Sequence, residues 1–471
     1  MVFSSIPFLF FFLPICLILY YAVPFSWKNG ILLIFSLIFY AWGEPVYIVL
    51  MFLATIVDYI NGLLMERFGN TKPKRTIFLC CSVIVNLSVL AFFKYADFLV
   101  VNINNLFGTE ITPLGLGLPV GISFFTFQTM SYIIDLYKGE VEAEHNYFDY
   151  LTYVSMFPQL VAGPIVRFSH INMELHKRTI CMEKIVSGFM RFMQGLFKKV
   201  LIANQVGALW EEVRIMQPSQ LSVTMAWIGA VCFTLQLYFD FSAYSDMAIG
   251  MGHMLGFHFN ENFNYPLYSV SVTDFWRRWH ISLSTWFRDY IYIPLGGNRK
   301  GIIKQLRNMA VVWILTGLWH GAAWNFVLWG IYYGILLALE KFIWGKGLAK
   351  LPKFIQHLYA IIIVVFGFVI FTFDDMNLLK NYLSSMFGMA GNTLFGFEIF
   401  WYLKNYSVVL LTACILSFPF YPWLSLKIKT LRKNTRAVIS IASVLGFVAL
   451  FLLSTAYLVN DTYNPFLYFR F

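Results

Sequence analysis

Along this chain, apolar runs are separated by short polar loops over nearly the whole length. Runs of about 17 to 25 residues are what helices need to cross a hydrocarbon core about 30 Å thick, and roughly ten to twelve such runs are legible here. Period-two strands do not punctuate them. Backbone in lipid must be hydrogen-bonded internally, so the pattern predicts an all-α integral membrane protein, a multi-helix bundle. The first charged residue, Lys28, follows an apolar run from Ile6 to Val23 that has no basic region ahead of it, the pattern of a retained first span. The first strongly basic loop, "ERFGNTKPKRT" (Glu66 to Thr76), comes after three predicted spans and is expected on the cytoplasmic side, which places the N-terminus outside. Lys427, Lys429, Arg432, Lys433 and Arg436 crowd a late loop without an acid, ahead of a span from Ala437 to Leu458. If that loop is cytoplasmic too, the aromatic tail 460–471 lies outside. With no polar linker, residues 1–471 read as a single polytopic domain. Two stretches break the pattern: "TPLGLGLPVG" (Thr112 to Gly121) and "FPQLVAGPIVRF" (Phe157 to Phe168) carry Pro and Gly in apolar surroundings. They are expected either to line a cavity as re-entrant segments or to form ordinary kinks and interfacial turns.

Composition sharpens this picture. The 471 residues are 59% hydrophobic and only 12% charged, with mean hydropathy +0.68, against roughly 25% charged in soluble domains. The formal charge of +10 would suggest a nucleic-acid partner in a soluble domain. Here the basic residues sit in short loops, so topology and attraction to anionic membrane lipid account for them and nucleic acid is not expected. The six cysteines, Cys16, Cys80, Cys81, Cys181, Cys232 and Cys414, form no CxxC pair and stand beside no histidine at metal spacing, so neither a disulfide framework nor a metal site is expected.

Candidate chemistry lies near the middle of the chain. In "SVTDFWRRWHISLSTWFRDYIYIPLGG" (Ser271 to Gly297), helical spacing puts Arg277, His280, Ser284 and Arg288 on one face. Trp276, Trp279, Leu283, Trp286 or Phe287, and Tyr290 fall on the other. This predicts an amphipathic interfacial helix with Asp274 as its N-cap or in its first turn. Its arginines, Arg277, Arg278 and Arg288, suit lipid headgroups or the phosphates of a nucleotide-like donor, because guanidinium forks match phosphate geometry. From Arg307 to Glu340 no residue between is charged, and His320 stands inside that run. A titratable group at such depth is a functional hypothesis by default. His320 is a candidate general base, with bonding to a backbone carbonyl or Asn325 as the structural alternative. Asp240 and Asp246 sit in "LQLYFDFSAYSDMAIGMG" (Leu235 to Gly252), where catalytic orientation and pairing with an arginine are both open; Asp58 and Asp135 pose the same question. Walker A, DxD, GxSxG and HExxH motifs are absent from the sequence, against ATP-driven export, glycosyl transfer and serine hydrolysis.

The segments "DFWRRWHISLSTWFRDYIYIPLGGNR" and "LTGLWHGAAWNFVLWG", supported by "FFTFQTMSYIIDLYKG", "FPQLVAGPIVRF" and "YFDFSAYSDMAIGMG", resemble the membrane-bound O-acyltransferase (MBOAT) family. The resemblance runs over most of the chain and is to the bacterial branch acting in alginate and peptidoglycan O-acetylation, with the teichoic acid D-alanylation proteins as shorter relatives. It implies a bundle with a central channel, His320 as catalytic histidine, and His280 as a second histidine on the cytoplasmic approach. Arg277, Arg288, Asp240 and Asn325 would contact the donor or line the channel. It also implies acetyl-CoA as cytoplasmic donor with no tightly bound cofactor, and residence in the bacterial inner membrane. The partner would be a secreted or membrane-anchored SGNH-type acyltransferase that carries the acyl group to a polysaccharide. A D-alanyl donor, or a transporter subunit without chemistry, are the competing expectations.

The tail "NDTYNPFLYFRF" (Asn460 to Phe471) resembles the aromatic ending of that branch. From Val459 to Tyr468 is nine residues, which extended would reach about 30 Å. Tyr468 is thus a candidate acyl relay, against the alternative of an aromatic belt at the outer interface.

Overall fold

The computed structural model describes residues 1–161, 163–460, 463–465 and 467. Among these no strand occurs, and nearly everything outside the loops is helix. Among the described residues, eight helices are long and apolar enough to cross a membrane: Phe25–Gly43, Ile48–Phe68, Lys72–Phe107, Val223–Leu255, Trp324–Leu348, Lys353–Thr372, Glu398–Ser417 and Asn434–Asn460. The sequence suggested ten to twelve. The difference comes from apolar runs that fold into shorter helices, such as Phe8–Ala22 and the 17-residue Ile122–Lys138. Ile122–Lys138 is buried on almost every side, so its apolar residues face protein. On Asn434–Asn460, by contrast, most apolar side chains are exposed, as lipid-facing residues are without a bilayer present.

The described residues form two compact units. The first comprises residues 1–192, 245–261 and 288–291; the second 193–244, 262–287 and 292–471. Within the first, Ile48–Phe68 and Lys72–Phe107 carry a buried polar pair: Asn86 Nδ2 donates to both oxygens of Asp58, at 3.0 and 2.9 Å. Asp135 likewise accepts from the Tyr290 hydroxyl at 2.7 Å and from Ser169 Oγ at 3.3 Å. The two Pro/Gly stretches also belong here. Thr112 to Gly121 is a mostly exposed loop whose freed backbone donors go to carboxylates, Leu114 and Gly115 to Asp97 and Val120 to Glu44. Phe157–Leu160 is a short buried helix, followed by irregular chain that Tyr153 pins by donating to the Val166 carbonyl at 3.1 Å. Irregular backbone is thus kept inside protein or given side-chain partners, as apolar surroundings demand.

The second unit holds His280, His320, Arg277, Asp240 and Asn325, whereas Arg288 falls in the first. The centre of the second unit is a tight antiparallel helix pair, Ile302–His320 and Trp324–Leu339, joined by three residues. Glycine sets their closeness: a Cβ on Gly317 would meet the Phe326 carbonyl at 2.4 Å, and one on Gly330 the Trp313 carbonyl at 2.4 Å. His320 therefore lies at the end of a helix beside the hairpin turn.

Candidate active site

The region Ser271 to Gly297 is not one helix. Val272–Arg278 ends at Trp279, Ile281–Phe287 follows, and a π-helical turn covers Arg288–Tyr292. The break is at His280, whose φ of 43° is left-handed, a conformation unusual for a residue with a Cβ. Asn262 and Asn264 hold it there. Ile281 N donates to the Asn262 carbonyl at 2.9 Å and Asn264 N to the Arg278 carbonyl at 2.9 Å, so the loop takes up the backbone groups that the broken helix frees. The expected division into a polar and an aromatic face is lost with the helix. A residue count of three and four is a statement about faces only while the helix continues.

Ser271, not Asp274, caps the first short helix: its side chain accepts from Asp274 N at 3.0 Å. Asp274 sits in the first turn and pairs with Arg278, 2.9 Å apart. A second cap comes from far along the chain. Glu340, buried, accepts from Val272 N at 2.8 Å and Thr273 N at 2.9 Å, placing a carboxylate on the helix N-terminus.

The break and the helix hairpin together enclose a cavity of about 250 Å³. His280 and His320 both line it. Trp276, Trp279, Leu283, Phe287, Trp313 and Leu337 make the apolar wall, with Thr273, Ser284, Thr316 and Arg277 as its other polar members. Residues from both expected faces therefore meet the same space. Trp276 ties the wall together, its ring lying 4.8 Å from Trp313, 5.4 Å from Trp329 and 4.8 Å from Tyr333. The His320 ring lies 5.1 Å from Trp329 and 5.2 Å from Phe371. This volume falls below the roughly 300–1,000 Å³ of pockets for drug-sized ligands. It suits a small group and the bond to which that group is attached.

His280 is oriented by Asn262. Its Nδ1 lies 3.1 Å from Asn262 Oδ1, which also accepts from Ser282 N at 3.2 Å and Ser282 Oγ at 2.9 Å. The Ser282 amide can only donate, so Oδ1 is an acceptor and His280 Nδ1 must carry the hydrogen. Nε2 then holds a lone pair, and it is buried with no partner among the described residues. Burial pushes the His280 pKa down to about 3, so the ring is neutral near pH 7. The fold thus prepares a neutral imidazole with one nitrogen fixed and the lone pair of the other open to a hydrogen bond.

The arginines differ. Arg277 is exposed on the cavity wall and forms no ion pair among the described residues. Arg278 pairs with Asp274, and Arg288 with Asp289 at 2.6 Å, while Arg167 reaches the other Asp289 oxygen at 2.8 Å. Neither Arg278 nor Arg288 lines the cavity. Asn325 is buried outside the lining, donating to the Phe371 carbonyl at 2.8 Å. Asp240 is also elsewhere, paired with Lys199 at 2.7 Å. Asp246 has the arginine partner that was one of its two readings, Arg191 at 2.6 Å. Tyr468 lies outside the described residues. Glu144, Asp149 and His176 bring ligand atoms within 4.8 Å of one another in the first unit, but ordinary bonds engage them: His176 Nε2 is 3.3 Å from Glu144, and Asn146 donates to Asp149 at 2.7 Å.

Sequence reasoning missed Asn262, Glu340 and Lys199. The signal for Glu340 was its place as the lone acid closing a long uncharged run. Asn262 and Lys199 had none, because their partners are 18 and 41 residues away in loops and on another helix.

Residues 82–383 match the model of the membrane-bound O-acyltransferase family. The chain is 42% identical over 398 residues to the probable alginate O-acetylase AlgI of Azotobacter vinelandii, covering 84% of this chain and 79% of that protein. It is 33% identical over 430 residues to the peptidoglycan O-acetyltransferase of Helicobacter pylori, covering 84% and 81%. To the teichoic acid D-alanyltransferase of Bacillus subtilis it is 28% identical over 270 residues, covering 54% and 67%.

Proposed function

Because the chain belongs to the membrane-bound O-acyltransferase family, and so is a membrane acyltransferase, we propose that its acyl group is acetyl. The group is taken from acetyl-CoA on the cytoplasmic side and delivered for O-acetylation of an envelope polysaccharide outside. The observation that carries this reading is the cavity itself: two histidines, aromatic walls and one uncompensated guanidinium around about 250 Å³. That volume suits a short acyl group and its thioester, and Arg277 on the wall suits a donor phosphate. The names of the more similar relatives favour acetyl over D-alanyl.

His320 acts as general base. It removes the proton of an attacking hydroxyl, whose oxygen bonds to the thioester carbonyl carbon; the C–S bond breaks, and coenzyme A leaves as thiolate and is protonated to the thiol. His280 Nε2 is an acceptor of the right tautomer to orient the nucleophile or take the second proton step. Aromatic walls keep water from competing for the acyl group and strengthen every polar contact inside. Tyr468 is the first acceptor, and a secreted or membrane-anchored SGNH-type enzyme the next. The protein resides in the bacterial inner membrane as one polytopic domain with both termini outside, and because only the acyl group passes, coenzyme A never crosses.

The test is incubation of purified protein with acetyl-CoA labelled in the acetyl group, followed by free thiol release and mass analysis of the C-terminal peptide. Label at Tyr468 that requires His320 is the expected result. Thiol release equal in wild type and His320→Ala would overturn the base assignment. Labelling from a D-alanyl thioester but not from acetyl-CoA would assign the donor of the teichoic acid relatives instead.

A further inference from the structure

Lys199 and Asp240 form an ion pair of 2.7 Å in which each side chain is only 3% exposed. Such a pair costs several kcal/mol of desolvation unless its leftover donors and acceptors are also used. Here they are used by one segment of chain. Lys199 Nζ donates to the Pro465 carbonyl, and Asp240 Oδ2 accepts from Leu467 N at 2.9 Å. Two further contacts flank them: Asn204 Nδ2 donates to Asn464 Oδ1 at 3.2 Å, and Gln236 Nε2 to the Tyr463 hydroxyl at 3.2 Å. Gln236 and Asp240 are four apart on Val223–Leu255, and Lys199 and Asn204 five apart on the preceding helical stretch. Leu467 is buried. An aromatic tail that merely anchors at an interface needs no buried charge to hold its backbone.

We propose that the Lys199–Asp240 pair is a backbone clamp, a positioning device that seats the chain's own C-terminal segment and fixes where position 468 can go. The inference rests on the reading of Tyr468 as acyl acceptor. The clamped Leu467 amide is one residue from position 468, a Cα step of about 3.8 Å, so the clamp sets the reach of that hydroxyl. Both clamp contacts are to main chain, so the pair reads the presence of a carbonyl and an N–H two residues apart.

The experiment uses the full chain and compares label on the Tyr468 peptide with coenzyme A released, as a ratio. Replacing the Leu467 amide by an ester, through nonsense suppression with the α-hydroxy analogue of leucine, removes only the N–H that Asp240 accepts. The ratio is expected to fall at least tenfold, while the same ester at position 464 leaves it unchanged. The exchange Lys199→Asp with Asp240→Lys keeps an ion pair but reverses donor and acceptor, and should also lose the ratio; Lys199→Arg, which keeps a donor, should retain it. A purely structural pair would be rescued by the exchange and indifferent to the ester, and that result overturns the clamp. Should wild type release thiol without any label on Tyr468, the relay reading fails, and carboxypeptidase trimming of the tail decides the clamp separately. Faster trimming of the Leu467 ester chain than of wild type upholds it; equal trimming overturns it.

Discussion

Asp58 and His280 are both titratable and both buried, yet they are opposites. In the first unit the Asp58 carboxylate is closed: Asn86 donates to each oxygen, and Asn86 Oδ1 in turn accepts from Thr129. In the second, Asn262 takes one nitrogen of His280 and the other has no partner among the described residues, beside a cavity. A group whose bonds are complete stabilises; a group with one valence held open, in a strained backbone conformation, has been positioned for something that arrives later. Burial alone does not separate the two.

The largest expected effect concerns the open side of this comparison. His320→Ala should lower thioester turnover by about 10²–10⁴-fold, the range for removing a general base, with melting temperature nearly unchanged; turnover within threefold of wild type would break the assignment. Next, Asn262→Leu strands the His280 Nδ1 hydrogen and frees the ring to rotate, so turnover should drop by about tenfold or more, whereas Asp58→Ala should leave turnover per folded molecule intact. That second substitution should instead cost about 1–3 kcal/mol of stability by leaving one Asn86 Nδ2 hydrogen without its acceptor while the other still reaches the Ser82 carbonyl, read by thermal unfolding in detergent. Turnover lost in Asp58→Ala at full stability would collapse the contrast.

A pH measurement sharpens it further. The His280 pKa falls from its ordinary value near 6.5 to about 3 on folding, so below pH 6.5 the unfolded chain binds a proton that the native chain refuses. Stability should therefore fall with falling pH between about 6.5 and 3, by roughly 1.4 kcal/mol per unit from this group. His280→Gln should flatten the slope over that window. Glu340→Ala should destabilise by about 0.5–2 kcal/mol through loss of the cap on Val272–Arg278. The smallest effect belongs to the arginines: Arg278→Gln breaks a half-buried pair worth up to about 1 kcal/mol and should leave KM for acetyl-CoA alone, while Arg277→Gln should raise it.

The helical membrane class was legible in the sequence because hydropathy and the need for internally bonded backbone act locally, residue by residue. His320 stood out for the same reason, as a polar group in an apolar run, while His280 stood out by its spacing with arginines on one helical face, and the long motifs around them carried the family. Helix continuity through His280 was misread, because its left-handed backbone is imposed by Asn262 from another loop. Asp240 has no arginine partner: its partners are a lysine on another helix and a backbone amide near the end of the chain. Composition and periodicity thus determined the helical membrane class and which groups are costly to bury. Which of those groups are closed by partners, and which are left open around one cavity, only the tertiary structure decided, since hydrogen bonds and ion pairs join residues that lie close in space at any separation along the chain.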